Sequence, residues 1–169
     1  MGLDRGRIFK GRIISVYTGK KEIPGGRTAY FEEVKHPGAA LIVPFFGDKI
    51  IFIRQYRGVI GRYIWELPAG TLAPGEGPKT CARRELEEET GFRAAAVEKI
   101  GSIYTTPGFC DEKITIYRAE CRPKGKVKRD TDEVIRTRLL TRKEARVLFE
   151  KGAITDSKTI AALAFAGVL

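Results

Sequence analysis

The stretch GTLAPGEGPKTCARRELEEETGF, residues 70–92, limits the fold more than any other part of the chain. Residues 78–90 hold no glycine, and their one proline, Pro78, stands where a helix can open, since a first-turn N–H has no partner to lose. Gly91 then supplies the left-handed residue on which many helices end. Ala82, Leu86 and Cys81 recur at helical spacing and form an inward stripe. Glu85, Glu88 and Glu89 share another face, because positions three and four apart are neighbours on a helix, while Glu87 points to solvent. Three like charges on one face repel each other. Arginines offset that, or divalent cations do, since hard cations take oxygen ligands together with substrate phosphates. Taken alone, such a helix is most simply a solvated acidic face. Its flanks point further: Arg84 can reach Glu76 across the preceding loop, and Gly70 and Gly75 let that loop fold tightly onto the same face.

On either side the apolar pattern changes to that of strands. RIISVYTG runs up to Gly19, and RTAYFEEVKH follows the Pro24-Gly25-Gly26 turn. AALIVPFF and KIIFIRQYR flank Gly47-Asp48, a hairpin turn. YIWELPAG reads as one further extended piece, and AAVEKIGSIYT, KITIYRAEC and EVIRTRLLT follow the helix. Two helices close the chain, RKEARVLFEKG and SKTIAALAFAGVL, the second capped by Thr155, Asp156 or Ser157. Strands outnumber helices and no regular βαβ alternation is present, so the class is α+β.

The 169 residues suit one compact domain, and 43% hydrophobic content supports a real core. No apolar run approaches the ~20 residues of a membrane span, and three scattered cysteines fit a reducing cytoplasm, so no membrane partner is expected. The net charge of +10 raises a nucleic-acid reading, but the basic residues are dispersed. The densest cluster, RPKGKVKRD at 122–130, reads as a solvated loop, and the excess charge suits attraction of an anionic substrate. The chain has no asparagine and a single glutamine, Gln55, against 31% charged residues, the bias of thermophilic proteins.

Gly70, Glu76, Arg84-Glu85-Leu86, Glu88-Glu89 and Gly91-Phe92 together satisfy every position of the Nudix box, and here the chain resembles the Nudix hydrolases. The resemblance implies an α/β/α sandwich around a mixed β-sheet over residues 37–169. It leaves residues 1–36 as a strand-rich N-terminal extension, which in similar proteins is exchanged within a homodimer. It also implies Mg²⁺ or Mn²⁺ and hydrolysis of a nucleoside diphosphate linked to another group. RQYR at 54–57, WELPAG at 65–70, Pro107 sixteen residues beyond Gly91, and PGFCDE at 107–112 resemble the ADP-ribose pyrophosphatase branch. ADP-ribose would give AMP and ribose 5-phosphate; another nucleotide sugar or dinucleotide, or a non-catalytic nucleotide- or RNA-binding role, are the alternatives.

By that resemblance Glu85 and Glu89 ligate metal with the carbonyl of Ala69, and Glu88 ligates or tunes the shell. Glu133 falls on a metal-binding glutamate, but Thr131 occupies the place of the usual carboxylate base. Asp130, Asp132, Glu133, Glu112 and Glu88 are then the candidates for that role. Arg54 and Arg57 suit the charge of a diphosphate or ordinary pairing at a strand end. Glu112 suits a ribose hydroxyl or the chemistry itself. Tyr56, Tyr104 and Phe109 are read as core or interface before base-stacking, and Trp65 as a packing residue.

Overall fold

The chain's computed structural model describes residues 5–124 and 134–169, which form two compact units. The first comprises the chain up to Gly38 together with Tyr104–Lys113. In it, β1 (Arg5–Lys10), β2 (Ser15–Ile23) and β3 (Arg27–Lys35) make an antiparallel sheet. The sequence puts the end of β2 at Gly19. Instead Gly19 pairs with Phe31, and a continuous ladder with β3 keeps the strand extended to Ile23, so tertiary pairing overrides a local turn signal. The 104–113 segment is tied to β3. Val34 N donates to Phe109 O at 2.7 Å, Asp111 N to Val34 O at 3.2 Å, and Lys35 pairs with Asp111 at 2.7 Å.

The second unit holds β4 (Ala39–Phe46), β5 (Lys49–Arg57), β6 (Arg62–Glu66), β7 (Ala69–Thr71), α1 (Pro78–Thr90), β8 (Phe92–Tyr104), β9 (Lys113–Pro123), β10 (Ile135–Thr141), α2 (Arg142–Glu150) and α3 (Ser157–Phe165). The sheet order is β10-β5-β4-β9-β8, with β6 on β5 and β7 on β4. β4 runs parallel to β9 and antiparallel to β5, so the sheet is mixed. Gly47 takes φ 62° in the two-residue turn that joins β4 to β5. YIWELPAG is not one strand. Pro68 has no N–H for a ladder, and the chain crosses at Leu67-Pro68 from β5, which pairs β6, to β4, which pairs β7.

Side-chain alternation distributes the core to two faces. Leu41, Val43 and Phe45 of β4 pack with Ile50 and Phe52 of β5, Ala145 of α2, and Ala162 and Leu163 of α3. Ala40 and Ile42 face the other way, against Cys81, Ala82 and Leu86 of α1. The unit is therefore an α/β/α sandwich. Leu86 is fully buried, and truncating it to alanine would loosen α1 from the sheet at a cost of about 2–5 kcal/mol. Helix ends follow the sequence. Pro78 opens α1 and Gly91 closes it at φ 74°. Asp156 caps α3 by accepting from Thr159 N, and a reciprocal Thr141–Glu144 box caps α2.

Candidate active site

The acidic face of α1 lies against the start of β7. A Cβ on Gly70 would sit 1.8 Å from Glu85 Oε1, so only glycine leaves room for that carboxylate. Arg84 organises the loop before the helix. Its guanidinium donates to both oxygens of Glu76 at 2.9 Å, while Nη1 reaches Glu85 at 2.7 Å and Glu88 at 3.0 Å. The Arg84 hydrogen bonds, with a further one from Ala73 N, hold the Glu76 carboxyl down to a pKa of about 2 against its burial. Glu76 and Arg84 thus fix the loop. Glu89 is 1% exposed. Glu87 turns away to Arg93 and Lys124, consistent with its place off the acidic face.

A second ionic group stands behind this face. Arg57 donates through Nε and Nη2 to the two oxygens of Glu66, at 2.6 and 2.7 Å. Lys158 of α3 bonds Glu66 as well, and reaches Asp156 at 2.8 Å. Burial pushes the Glu66 carboxyl up, but Arg57 and Lys158 outweigh it and hold the group below the ordinary carboxylate value. The Glu66 hydrogen bond raises the Arg57 guanidinium, and the charges of Asp156 and Glu89 add to that. Through Arg57 the two ionic groups are coupled. Sequence reasoning missed Glu66, Lys158 and Asp156. The signal was a glutamate inside the otherwise apolar run YIWELPAG, which once buried requires a cation.

The structure sets Glu85 over Gly70, next to Ala69, and joins Glu85 and Glu88 at Arg84, while the charge of Glu89 acts on Arg57. It does not bring Arg54 to them. Arg54 alternates with Ile53 and Gln55 and shares the face of Phe52 and Trp65, opposite α1. Glu112 lies in the first unit, where it accepts from Thr105 Oγ1 at 3.0 Å. Asp130, Thr131, Asp132 and Glu133 lie outside the described residues. Tyr56, Tyr104 and Phe109 are exposed rather than in the core, whereas Trp65 packs edge-on to Phe52.

The donor set fits a hard divalent cation. Three carboxylates and the peptide carbonyl leading into Gly70 are all oxygen ligands, the kind Mg²⁺ and Mn²⁺ take. Among the described residues no three such side chains are gathered on one point; Glu85 and Glu88 both bond Arg84 Nη1.

Comparison with known proteins agrees with the geometry. The NUDIX domain model matches residues 35–163. An ADP-ribose pyrophosphatase of Bacillus subtilis (strain 168) is 40% identical over 162 residues, covering 94% of this chain and 88% of that protein. A methanol dehydrogenase activator of Bacillus methanolicus is 38% identical over the same shares. The crystal structure of an ADP compounds hydrolase superposes with a TM-score of 0.82 over 97% of this chain and 90% of its own, at 24% identity, a likeness of fold. With the box residues on one loop and helix, the sandwich around a mixed sheet, and relatives matched along nearly the whole length, this chain belongs to the Nudix hydrolase family.

Proposed function

We propose that the protein hydrolyses the diphosphate bond of ADP-ribose, or of a closely related nucleoside diphosphate sugar, giving AMP and ribose 5-phosphate in the first case. The observation that carries this reading is the α1 face of Glu85, Glu88 and Glu89, with Glu85 set against Gly70 and the Glu89 charge acting on Arg57. The ADP-ribose pyrophosphatase from Bacillus subtilis, similar over 94% of the chain, supports the choice of substrate. A bound Mg²⁺ or Mn²⁺ would supply positive charge against the diphosphate and ease deprotonation of water. Glu85, Glu88, Glu89 and the Ala69 carbonyl would hold it. Arg57, fixed by Glu66, presents a further cation to the diphosphate. The water oxygen bonds to one phosphorus, the bridging P–O bond breaks, and the departing phosphate takes the electron pair. Glu133 and Asp132 are proposed for metal binding and for the proton from water, and Glu112 for the ribose.

The protein is further proposed to be a cytoplasmic homodimer. The three-stranded sheet exposes Ile8, Phe9 and Tyr30, and the turn between β1 and β2 exposes Ile13, large apolar side chains gathered on one unit as at an interaction surface. Among the described residues no helix is long and apolar enough to cross a membrane. Release of AMP from ADP-ribose with Mg²⁺, measured beside GDP-mannose and other nucleotide sugars, tests the substrate. A kcat/KM for ADP-ribose at least about tenfold above the rest is expected, and a higher value for another sugar would reassign it.

A further inference from the structure

Strand register gathers three arginines on the sheet face opposite α1, where the proposed hydrolysis has no use for them. Arg54 of β5 stands directly across from Arg136 of β10 on one side and from Trp65 of β6 on the other. Arg138 follows two residues along β10, opposite Phe52. Ile50, Phe52 and Leu140 on this face belong to the core under α2 and α3. Beyond them the face turns basic, and Arg54, Tyr63, Trp65, Arg136 and Arg138 line a cavity of about 280 Å³.

Like charges set directly across a ladder destabilise it. Among the described residues no carboxylate pairs with any of the three. Arg54 Nη2 reaches only the Tyr63 carbonyl at 3.4 Å, and Arg138 Nη1 only the Thr137 carbonyl at 2.9 Å. By contrast, Arg57 and Lys158 are both matched to Glu66. Two of the three are also held in place by aromatic rings. Arg54 lies 4.9 Å from the Trp65 ring centre, and Arg136 lies 5.8 Å from that of Tyr63. A guanidinium stacked on a ring keeps its N–H edge for acceptors in its own plane, the geometry that suits phosphate oxygens.

We propose that this cavity binds a small oligophosphate anion, a di- or triphosphate chain, at a site separate from the hydrolytic one. Several adjacent charges on one short ligand match three converging guanidiniums, each able to take two oxygens. A long polyanion fits poorly. The adjoining groove, lined by Trp65, Leu140, Lys143, Glu144, Val147 and Leu148, is mostly apolar and sets its single lysine beside a glutamate, so the row of cations does not continue. The proposal does not rest on the hydrolytic activity.

Calorimetric titration of the whole protein with tripolyphosphate in EDTA at low salt tests it. Without divalent cations the α1 carboxylates repel phosphate, so the signal reports the other face. Saturable binding of one anion per chain is expected, weakened by added salt. Arg136→Gln/Arg138→Gln should weaken it at least tenfold while the melting temperature stays within a few degrees, both residues being exposed. Glu85→Gln should leave it unchanged. ATP should bind within a few-fold of tripolyphosphate, since the phosphate chain rather than the base is read. Equal binding by the double arginine variant, tighter binding in Glu85→Gln, or no saturable binding would each overturn the proposal. So would displacement of the anion by a single-stranded oligonucleotide at much lower concentration.

Discussion

Replacing Gly70 by alanine separates the site from the fold. The added methyl would lie 1.8 Å from Glu85 Oε1 and 2.0 Å from its Cδ. Gly70 has no positive φ, so the backbone accepts alanine without strain, and the atom in the way is the tip of a flexible side chain. The carboxylate must retreat by about 1.6 Å to reach the 3.4 Å of ordinary contact. That movement loosens the Arg84–Glu85 pair, worth at most about 1 kcal/mol at a part-exposed site. Alanine's smaller unfolded-state freedom returns about 0.4–1 kcal/mol. Stability should therefore change by no more than about 1 kcal/mol. Catalytic geometry is less forgiving, since a displacement of about 1 Å can cost about a hundredfold in rate. Gly70→Ala should lose about that much turnover on ADP-ribose at saturating Mg²⁺, with the denaturation midpoint moved by no more than the equivalent of about 1 kcal/mol. If the lost rate comes from Glu85, Gly70→Ala/Glu85→Ala should be no slower than Glu85→Ala alone. Wild-type turnover in Gly70→Ala, or two losses that multiply, would refute the placement of Glu85 at the reacting diphosphate.

Glu85→Gln and Glu89→Gln should each cut turnover by at least about a hundredfold with the fold intact, by removing a ligand charge; near-normal rates at saturating Mg²⁺ would remove these residues from the metal site. Glu76 has its folded pKa depressed from 4.5 to about 2, so its contribution is complete above about 4.5 and is lost as pH falls toward 2. Melts of wild type and Glu76→Gln should accordingly converge across that window, and a gap independent of pH would contradict the Arg84–Glu76 coupling. The absence of asparagine, the single Gln55 and the dense charge lead us to expect a melting temperature above about 90 °C, against which a melt near 55 °C would count.

The acidic helix was legible because its information is local. Periodicity, Pro78, Gly91 and the spacing of Arg84 from Glu76 all act within some twenty residues, and the helix forms where they place it. β4 and β5 were legible for the same reason, each being an apolar run bounded by a turn. The division of YIWELPAG was less so. Pro68 announced a break, but not that the two pieces pair with different strands. The separation of Arg54 from Arg57 is the clearest limit. Both belong to RQYR and looked equivalent as diphosphate ligands. Three residues apart on a strand, they face opposite sides of the sheet, and only the identity of the α1 face decides which one meets the glutamates. Glu66, Lys158 and Asp156 come from positions up to 92 residues apart, beyond any local pattern.

Burial energy alone does not account for a glutamate at position 66. An apolar residue there would avoid the desolvation of a fully buried carboxylate, and such replacements are often neutral or stabilising. What Glu66 does is hold two cations from separate elements, Arg57 at the end of β5 and Lys158 in the first turn of α3. The next residue is gripped by the same helix, for Leu67 N donates to the buried Thr159 Oγ1 at 3.0 Å. The two residues after that are Pro68 and Ala69, and Ala69 leads into Gly70, over which the Glu85 carboxylate sits. The first turn of α3 therefore fixes the strand segment that faces the glutamates, and holds Arg57 within reach of the Glu89 charge. With both Arg57 and Lys158 replaced, the fully buried Glu66 charge would be left uncompensated, at a cost of about 3–5 kcal/mol. The same network that positions the site is thereby tied to the stability of the sandwich, although α3 contributes none of the carboxylates.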